Sequence, residues 1–192
     1  DDQAGVGIDH VEIADVVAVG GAMANTFLQA SGVHIGESKT ETTDVPLAKE
    51  ILAKAAAEKA QRGFVFYLPQ DGVVAKKVDR MAKTRIVDWG THDIAEIEAY
   101  PRRPDHAASQ VASDEMILDI GPFSGAFIAG TMQLAGTVVW NGAMGVTETK
   151  GTQGPIGPTA HGTELIMEAM LGKFGHRPYS LVGGGDTVGF IQ

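Results

Sequence analysis

Three glycine-rich turns, each directly after an apolar run of strand type, constrain the fold of this chain most. They are Gly20-Gly21, residues 141–145 and Gly183-Gly184-Gly185. Helical patterns occupy most of the intervals between the apolar runs, and strands that alternate with helices form parallel sheets covered by helices. We therefore predict an α/β, Rossmann-like three-layer domain with a mostly parallel sheet flanked by helices. Turns that follow parallel strands share one edge, so we expect all three on one face.

The individual elements are predicted from hydrophobic runs and from helix start and stop signals. The predicted strands are residues 16–19, 64–68, 73–75, 85–87, 116–120, 137–140 and 179–182. The predicted helices are residues 22–30, 47–61, 122–134 and 160–171, with a further first turn after Gly185. Gly32 is the expected stop of the first helix, and Asp44 the expected cap of the second, with Pro46 in its first turn. Residues 88–115 are predicted to be a polar loop insertion with a short helix at 94–99.

Length and composition restrict the class of protein. The chain of 192 residues suits one domain, and its net charge of −9 argues against a nucleic-acid partner. The absence of cysteine excludes thiolate chemistry, and no apolar stretch approaches the ~20 residues of a membrane span. We expect no nucleic acid, no membrane association and a cytoplasmic location. A start at Asp1 without an initiator methionine fits a piece of a larger enzyme.

The last glycine turn has the composition of a phosphate site. Glycines let backbone N–H groups approach a ligand, and a helix that begins there favours an anion. Asp186 suits the Mg²⁺ that accompanies a nucleotide, because Mg²⁺ prefers one or two carboxylates plus phosphate oxygens. The residues leave open a plain structural turn in which Asp186 caps the helix. Glu148, after the middle turn, is either a solvated loop acid or an acceptor for ribose hydroxyls.

Other motifs are absent or fail on spacing. The segment 32–40 has only three residues between its glycines and lacks Lys-Ser/Thr directly after them, which rejects a Walker A loop. Val188 stands where a dinucleotide fingerprint that starts at Gly183 needs glycine. The six histidines show no paired-ligand spacing, so we expect them to bind no metal.

Six segments together resemble motifs of the phosphoglycerate kinase family, in the family's order. They are GGAMANTFL at 20–28, LPQDGVVA at 68–75, LDIGP at 118–122, VVWNGAMGV at 138–146, HGT at 161–163 and GGGDT at 183–187. The resemblance covers nearly the whole chain. It identifies residues 1–192 as the family's C-terminal nucleotide-binding domain, incomplete at both ends.

The resemblance also implies a set of site residues. Adenine would lie near Gly20, Gly21 and Leu118, and Glu148 would hold the ribose. Asn141, Gly142 and Met144 would line the nucleotide. The amides of Gly184 and Gly185 would face the phosphates as the catalytic groups, beside Gly183 and Thr187. Asp186 would bind the Mg²⁺ of ATP or ADP.

The implied reaction is phosphoryl transfer from 1,3-bisphosphoglycerate to MgADP, which gives 3-phosphoglycerate and MgATP. Phosphoglycerate would be held by an N-terminal domain that this chain lacks. The chain alone is therefore expected to bind nucleotide weakly without turnover, and the full-length protein to be a monomer.

Four residues depart from the family pattern: Ala22, Ile117, Ala143 and Thr147. Ile117 stands at the adenine wall in place of a glycine and could crowd the base. The segment 88–115 also lacks the family's DDW pattern. These departures keep open a non-catalytic nucleotide- or partner-binding module that retains the fold. An NAD-dependent α/β dehydrogenase is a second alternative, which the missing glycine at Val188 disfavours.

Overall fold

The computed structural model describes residues 8–90, 110–149 and 156–191, but not the side chains of 8, 9 and 186. The helices are α1 (Ile8–Ile13), α2 (Gly21–Ala30), α3 (Val45–Arg62), α4 (Pro122–Met132), α5 (His161–Met170) and α6 (Gly185–Ile191). The strands are β1 (Val16–Ala18), β2 (Val65–Tyr67), β3 (Asp71–Ala75), β4 (Arg85–Asp88), β5 (Met116–Ile120), β6 (Thr137–Asn141) and β7 (Tyr179–Gly183). A single 3-10 turn (Thr42–Asp44) precedes α3.

Parallel strand pairs form the centre of the fold. β1 pairs with β2, and β6 pairs with β7, both in parallel. Alternate side chains of β2 enter two different hydrophobic clusters: Val65 and Tyr67 face one, while Phe64 and Phe66 face the other. Because successive side chains of a strand point to opposite faces, both faces of this part of the sheet are covered. The predicted α/β class, with parallel strands flanked by helices, is confirmed.

Helices supply the two outer layers. One cluster joins the strands to α4 and α5 through Ile128 and Ile166, with Trp140 of β6 between them. The other joins β1 and β2 to α2 and α3 through Phe27 and Ile51. These side chains are at most 7% exposed, so both clusters are true core and they position the strand ends between them.

An antiparallel sheet lies beside the parallel pairs and was not part of the predicted sheet. Its order is β4-β3-β5, and both β4 and β5 run antiparallel to β3. The connection 76–84 between β3 and β4 is shorter than the dozen or more residues of a parallel crossover. The predicted strands at 73–75 and 85–87 are therefore correct, but their direction depends on connection length rather than on hydrophobic pattern.

Most helix boundaries agree with the sequence signals. α2 ends at Ala30, and Gly32 follows with φ 85°, a left-handed conformation that suits glycine. α3 begins at Val45, two residues before the predicted start, and Asp44 occupies its cap position without a side-chain hydrogen bond to the helix. The helix α1 was missed because six residues are too few to show a period. The predicted helix at 94–99 and most of the 88–115 segment lie outside the described residues.

An ion pair ties the end of the 88–115 segment to β4. Arg85 Nε and Nη2 donate to the two carboxylate oxygens of Glu115 over 2.8 and 2.5 Å, and Ala112 N donates to Glu115 Oε2 over 3.0 Å. The hydrogen bonds from Arg85 lower the pKa of the Glu115 carboxyl from 4.5 to about 2, although desolvation opposes them. The pair therefore stabilises the fold while Glu115 is ionised.

Within the described parts of the chain, no helix is long and apolar enough to cross a membrane.

We expect Glu115→Gln to lower the free energy of unfolding at pH 7 by about 1–3 kcal/mol, because it breaks charge-assisted hydrogen bonds of a buried group. The folded-state pKa lies below the unfolded one, so this contribution is present above about pH 4.5 and lost as the pH falls towards 2. Urea denaturation of both proteins across that range measures the difference. Asp114→Asn, which alters only an exposed pair with Lys76, is the control and should change stability little. A gap that stays constant with pH would contradict the assignment.

Candidate functional site

The three glycine-rich turns meet at one place in the structure. Gly21 N donates to Met144 O over 3.0 Å, which joins the first turn to the second. Gly142 N donates to Thr187 Oγ1 over 2.9 Å, which joins the second turn to the third. The turns follow β1, β6 and β7, so they lie at the carboxyl ends of parallel strands. The prediction that they share one face is confirmed.

The first turn approaches the second so closely that only glycine fits. A Cβ on Gly20 would collide with Met144 Sδ. A Cβ on Gly21 would lie 2.6 Å from Ala143 O, and Gly21 also has φ 60°. Packing and backbone conformation therefore require glycine at position 21, whereas a side chain at position 20 would require the Met144 side chain to move.

The second turn is held by its own tryptophan and by β5 and α5. Trp140 is 3% exposed, and its Nε1 donates to Gly142 O over 2.8 Å. Val146 N donates to the carbonyl of Leu118 over 2.8 Å, and Met144 N donates to Thr163 Oγ1 over 3.0 Å. Leu118 and Met144 are themselves buried. The turn thus has a defined shape, and its position depends on two other elements.

The third turn presents bare backbone at the start of α6. Gly184 adopts φ 83°, and a Cβ there would lie 2.9 Å from Asn141 Oδ1, which places Asn141 beside this turn. Gly184 and Gly185 are exposed, and a Cβ on Gly185 would meet no atom within 4 Å. The first N–H groups of a helix have no partner within that helix. The arrangement has open space and donor groups, as an anion requires.

The structure describes the side chain of Thr187, a predicted ligand residue at this turn, but not that of Asp186. Thr187 is fully buried and accepts the Gly142 amide, so it braces the second turn against α6. Asp186 is the second residue of α6, so it lies inside the helix and not at the cap position of the structural-turn alternative. Its side chain is not described, and its role as a metal ligand stays a prediction.

The remaining predicted residues lie around these turns. Gly183 is the last residue of β7 and pairs with Asn141 of β6. Glu148 is exposed, three residues after the second turn. Ile117 packs against a cluster formed by Val74 and Val87 of the antiparallel sheet and by Val111, which precedes β5. No contact in the structure tests the proposed roles of Glu148 and Ile117 towards a nucleotide.

Asp119 is a buried acid beside the second turn that sequence reasoning did not identify. It is 2% exposed; Oδ2 accepts Gly162 N over 2.9 Å and Oδ1 accepts Ile120 N over 2.9 Å. Burial raises the pKa of its carboxyl to about 7, although the N–H groups of Gly162, Ile120 and His161 oppose the rise. A charged residue inside the apolar run 116–120 was the available signal, because a buried acid needs donors.

The fold and the converging turns define an α/β protein whose glycine-rich turns gather at the carboxyl ends of its parallel strands. This is where open α/β folds bind their ligands. The family model described as phosphoglycerate kinase matches residues 6–192. The chain belongs to the phosphoglycerate kinase family.

Individual relatives agree with the family match. The phosphoglycerate kinase of Moorella thermoacetica is 36% identical over 178 residues, which are 93% of this chain and 37% of that protein. That of Koribacter versatilis is 37% identical over 191 residues, with 100% and 40% coverage. A solved structure of phosphoglycerate kinase from Coxiella burnetii superposes with a TM-score of 0.74 at 32% identity, over 94% of this chain and 38% of that one. The chain thus spans about two fifths of the length of these relatives, and the family match leaves the dehydrogenase alternative without support.

We expect Gly21→Ala to destabilise the fold more than Gly32→Ala. Both glycines have positive φ, which costs an alanine about 1–2 kcal/mol. A Cβ at Gly32 meets nothing within 4 Å, whereas at Gly21 it would lie 2.6 Å from a backbone carbonyl, which adds about 1–3 kcal/mol of overpacking. Free energies of unfolding from urea titration measure both. Equal costs would show that the turns are not in close contact.

We expect Asp119→Asn to change how stability depends on pH. The folded-state pKa of about 7 lies above the ordinary aspartate pKa of 3.8, so the folded state keeps a proton that the unfolded chain releases. This lowers the free energy of unfolding of the wild type as pH rises from about 4 to 7, by up to about 4 kcal/mol. The asparagine variant should lack that decline. Parallel pH profiles for the two proteins would contradict the buried, protonated acid, and Glu115→Gln is a control that changes the profile only below about pH 4.5.

Proposed function

We propose that this chain is the nucleotide-binding part of a phosphoglycerate kinase. Its reaction would be phosphoryl transfer between 1,3-bisphosphoglycerate and MgADP, to give 3-phosphoglycerate and MgATP. The observation that carries the proposal is the meeting of three glycine-rich turns at one edge of the sheet, in a chain of this family. We further propose that residues 1–192 form one domain, with 88–115 as a loop insertion.

The residues at the third turn fit a phosphate group. Gly184 and Gly185 expose backbone without side chains, and the space around Gly185 is open. Donors at a helix start are complementary to phosphate oxygens. In this proposal the amides of both glycines hold the phosphates of the nucleotide and stabilise negative charge on the phosphoryl group during transfer.

Mg²⁺ would reach the site with the nucleotide. The described part of the chain has no group of three or more His, Asp or Glu side chains that could hold a metal ion. Mg²⁺ on a nucleotide commonly needs only one or two protein carboxylates in addition to phosphate oxygens and water. Asp186, in the first turn of α6, is the carboxylate that we propose for it. When bound, the ion would neutralise charge on the phosphates.

The other two turns would position the adenosine. We propose that Gly20, Gly21 and Leu118 contact the adenine, and that Glu148 accepts hydrogen bonds from the ribose. The second turn would line the nucleotide through Asn141, Gly142 and Met144, while Gly183 and Thr187 complete the third turn. Catalysis of this kind rests on positioning and charge neutralisation rather than on covalent chemistry. The braced turns suit that task because their hydrogen bonds fix them before a ligand arrives.

The second substrate needs residues outside this chain. The chain covers only 37% of the Moorella protein. We propose that phosphoglycerate binds to the part of the family that the chain does not span. The chain alone would then bind adenine nucleotide without turnover. A cytoplasmic location and a monomeric full-length protein complete the proposal.

A calorimetric titration of MgADP into the wild type and into Asp186→Ala tests the nucleotide site. We expect saturable binding by the wild type and at least about tenfold weaker binding by the variant, because a charged contact to the metal is lost. The same titration with ADP and a chelator should show little difference between the two proteins. Asp114→Ala, which removes an exposed acid paired with Lys76, is the control and should bind like the wild type.

Absence of binding by the wild type would contradict the proposed function of this chain. Equal binding by Asp186→Ala would contradict only the metal site. The non-catalytic alternative is tested separately, by kinase activity of the full-length gene product. ATP formation from 1,3-bisphosphoglycerate and MgADP by the purified chain alone would overturn the proposal that it does not turn over.

A further inference from the structure

We propose that Asp119 is a positioning residue for nucleotide binding, which acts through α5 on the glycine-rich turn 141–145. It holds the start of α5 from the end of β5, and α5 in turn holds the turn. The inference rests on the proposed function, because it concerns the same nucleotide site. Asp119 is not among the residues that we propose to contact the nucleotide.

The first step is the contact between Asp119 and α5. Asp119 Oδ2 accepts the amide of Gly162, the second residue of the helix, over 2.9 Å. The residue at the helix cap, Ala160, has no side-chain hydrogen bond to the helix. A carboxylate oxygen from a neighbouring strand therefore does the work that a capping side chain would do. Because β5 is hydrogen-bonded to β3 and Asp119 is buried at 2% exposure, the carboxylate fixes the start of α5 relative to the sheet.

The second step runs from α5 to the turn. Thr163, which follows Gly162 and is fully buried, accepts the amide of Met144 over 3.0 Å. Thr159, just before the helix, donates to Val146 O over 2.7 Å. The segment 144–146 is thus hydrogen-bonded at one end to Thr163 and at the other to Thr159. These two threonines lie on either side of Gly162, the residue whose amide Asp119 accepts. A displacement of the helix start would displace these residues with it.

Packing makes the coupling tight. A Cβ on Gly145 would collide with Asp119 Oδ1 and lie 2.5 Å from Thr159 O. A Cβ on Gly162 would lie 2.5 Å from Asp119 Oδ1. The carboxylate fills the space between the turn and the helix, and neither neighbour can carry a side chain there.

The turn passes its position to the rest of the site. Met144 O receives the amide of Gly21, and the amide of Gly142 is bound by Thr187. A shift of the turn would therefore misplace the first and third turns relative to each other. In catalysis a misplacement of about 1 Å can lower the rate about a hundredfold, so groups that position a nucleotide are sensitive to small shifts.

Asp71 offers a matched control within the same fold. It is 3% exposed and its carboxylate accepts the amides of Phe123 and Ser124 at the start of α4, over 3.0 and 2.9 Å. It is thus a buried acid that holds a helix start from a strand, like Asp119. Its helix is α4 instead of α5, and its carboxylate bonds lead to that helix rather than to the turn.

The experiment compares MgADP affinity among variants at a temperature where each is folded by circular dichroism. We expect Asp119→Ala and Thr163→Val each to weaken binding about tenfold or more. Thr163→Ser keeps the hydroxyl acceptor and should bind within about twofold of the wild type, which a loss of packing alone would not explain. Asp71→Ala should lower the unfolding midpoint but leave affinity within about twofold. The double variant Asp119→Ala/Thr163→Val should lose less affinity than the two single losses combined, because both residues act along one path.

Each outcome decides between the proposals. If the wild type binds MgADP and Asp119→Ala binds it equally well, the inference is overturned and the proposed function is retained. Absence of wild-type binding overturns both. Equal losses for Asp71→Ala and Asp119→Ala would show a general effect of stability and overturn the positioning role. If Asp119→Ala does not fold, the Thr163→Val and Thr163→Ser pair makes the same comparison at the next contact along the path.

Discussion

The candidate site depends on backbone amides that are bound across elements rather than within them. Gly21 N meets Met144 O, and Gly142 N meets Thr187 Oγ1. A Cβ on Gly21 would lie 2.6 Å from Ala143 O, and Gly142 adopts φ 99°, so close packing excludes a side chain at the first position and backbone conformation disfavours one at the second. Three strands distant in sequence therefore present their carboxyl ends as one surface.

Buried acids at helix starts support that surface from behind. Asp71 holds α4 and Asp119 holds α5, each from a strand and each with at most 3% of its surface exposed. A buried carboxylate without donors would be costly, and helix starts offer donors that would otherwise be unpaired. Each buried acid therefore gains the donors that it needs, and each helix start gains an acceptor for its amides. The contact also fixes the angle between a strand and a helix. In α5 this arrangement extends to the turn, because Thr163 binds Met144.

The proposed nucleotide site draws only on elements of this chain. The family match covers residues 6–192, while the chain spans only about two fifths of its relatives. The hydrogen bonds that join the three turns connect only elements of this chain, so the geometry of the proposed site is formed by the chain alone. Phosphoryl transfer also needs the second substrate held in line, which turns alone do not supply.

The sequence by itself determined the order of the elements other than the short helix α1, because hydrophobic periods and glycine stops are local signals. The parallel pairs, the α4 and α5 helices and the meeting of the three turns were all predicted in this way. Tertiary structure alone decided the place of β5 in the antiparallel sheet and the role of Asp119. The short connection 76–84 already favours an antiparallel β3–β4 pair, but β5 pairs with β3 from a distant part of the chain, and Asp119 finds its donor in Gly162, 43 residues away. A pattern read along the chain contains no information about such a partner, since the contact exists only after β5 and α5 have packed together.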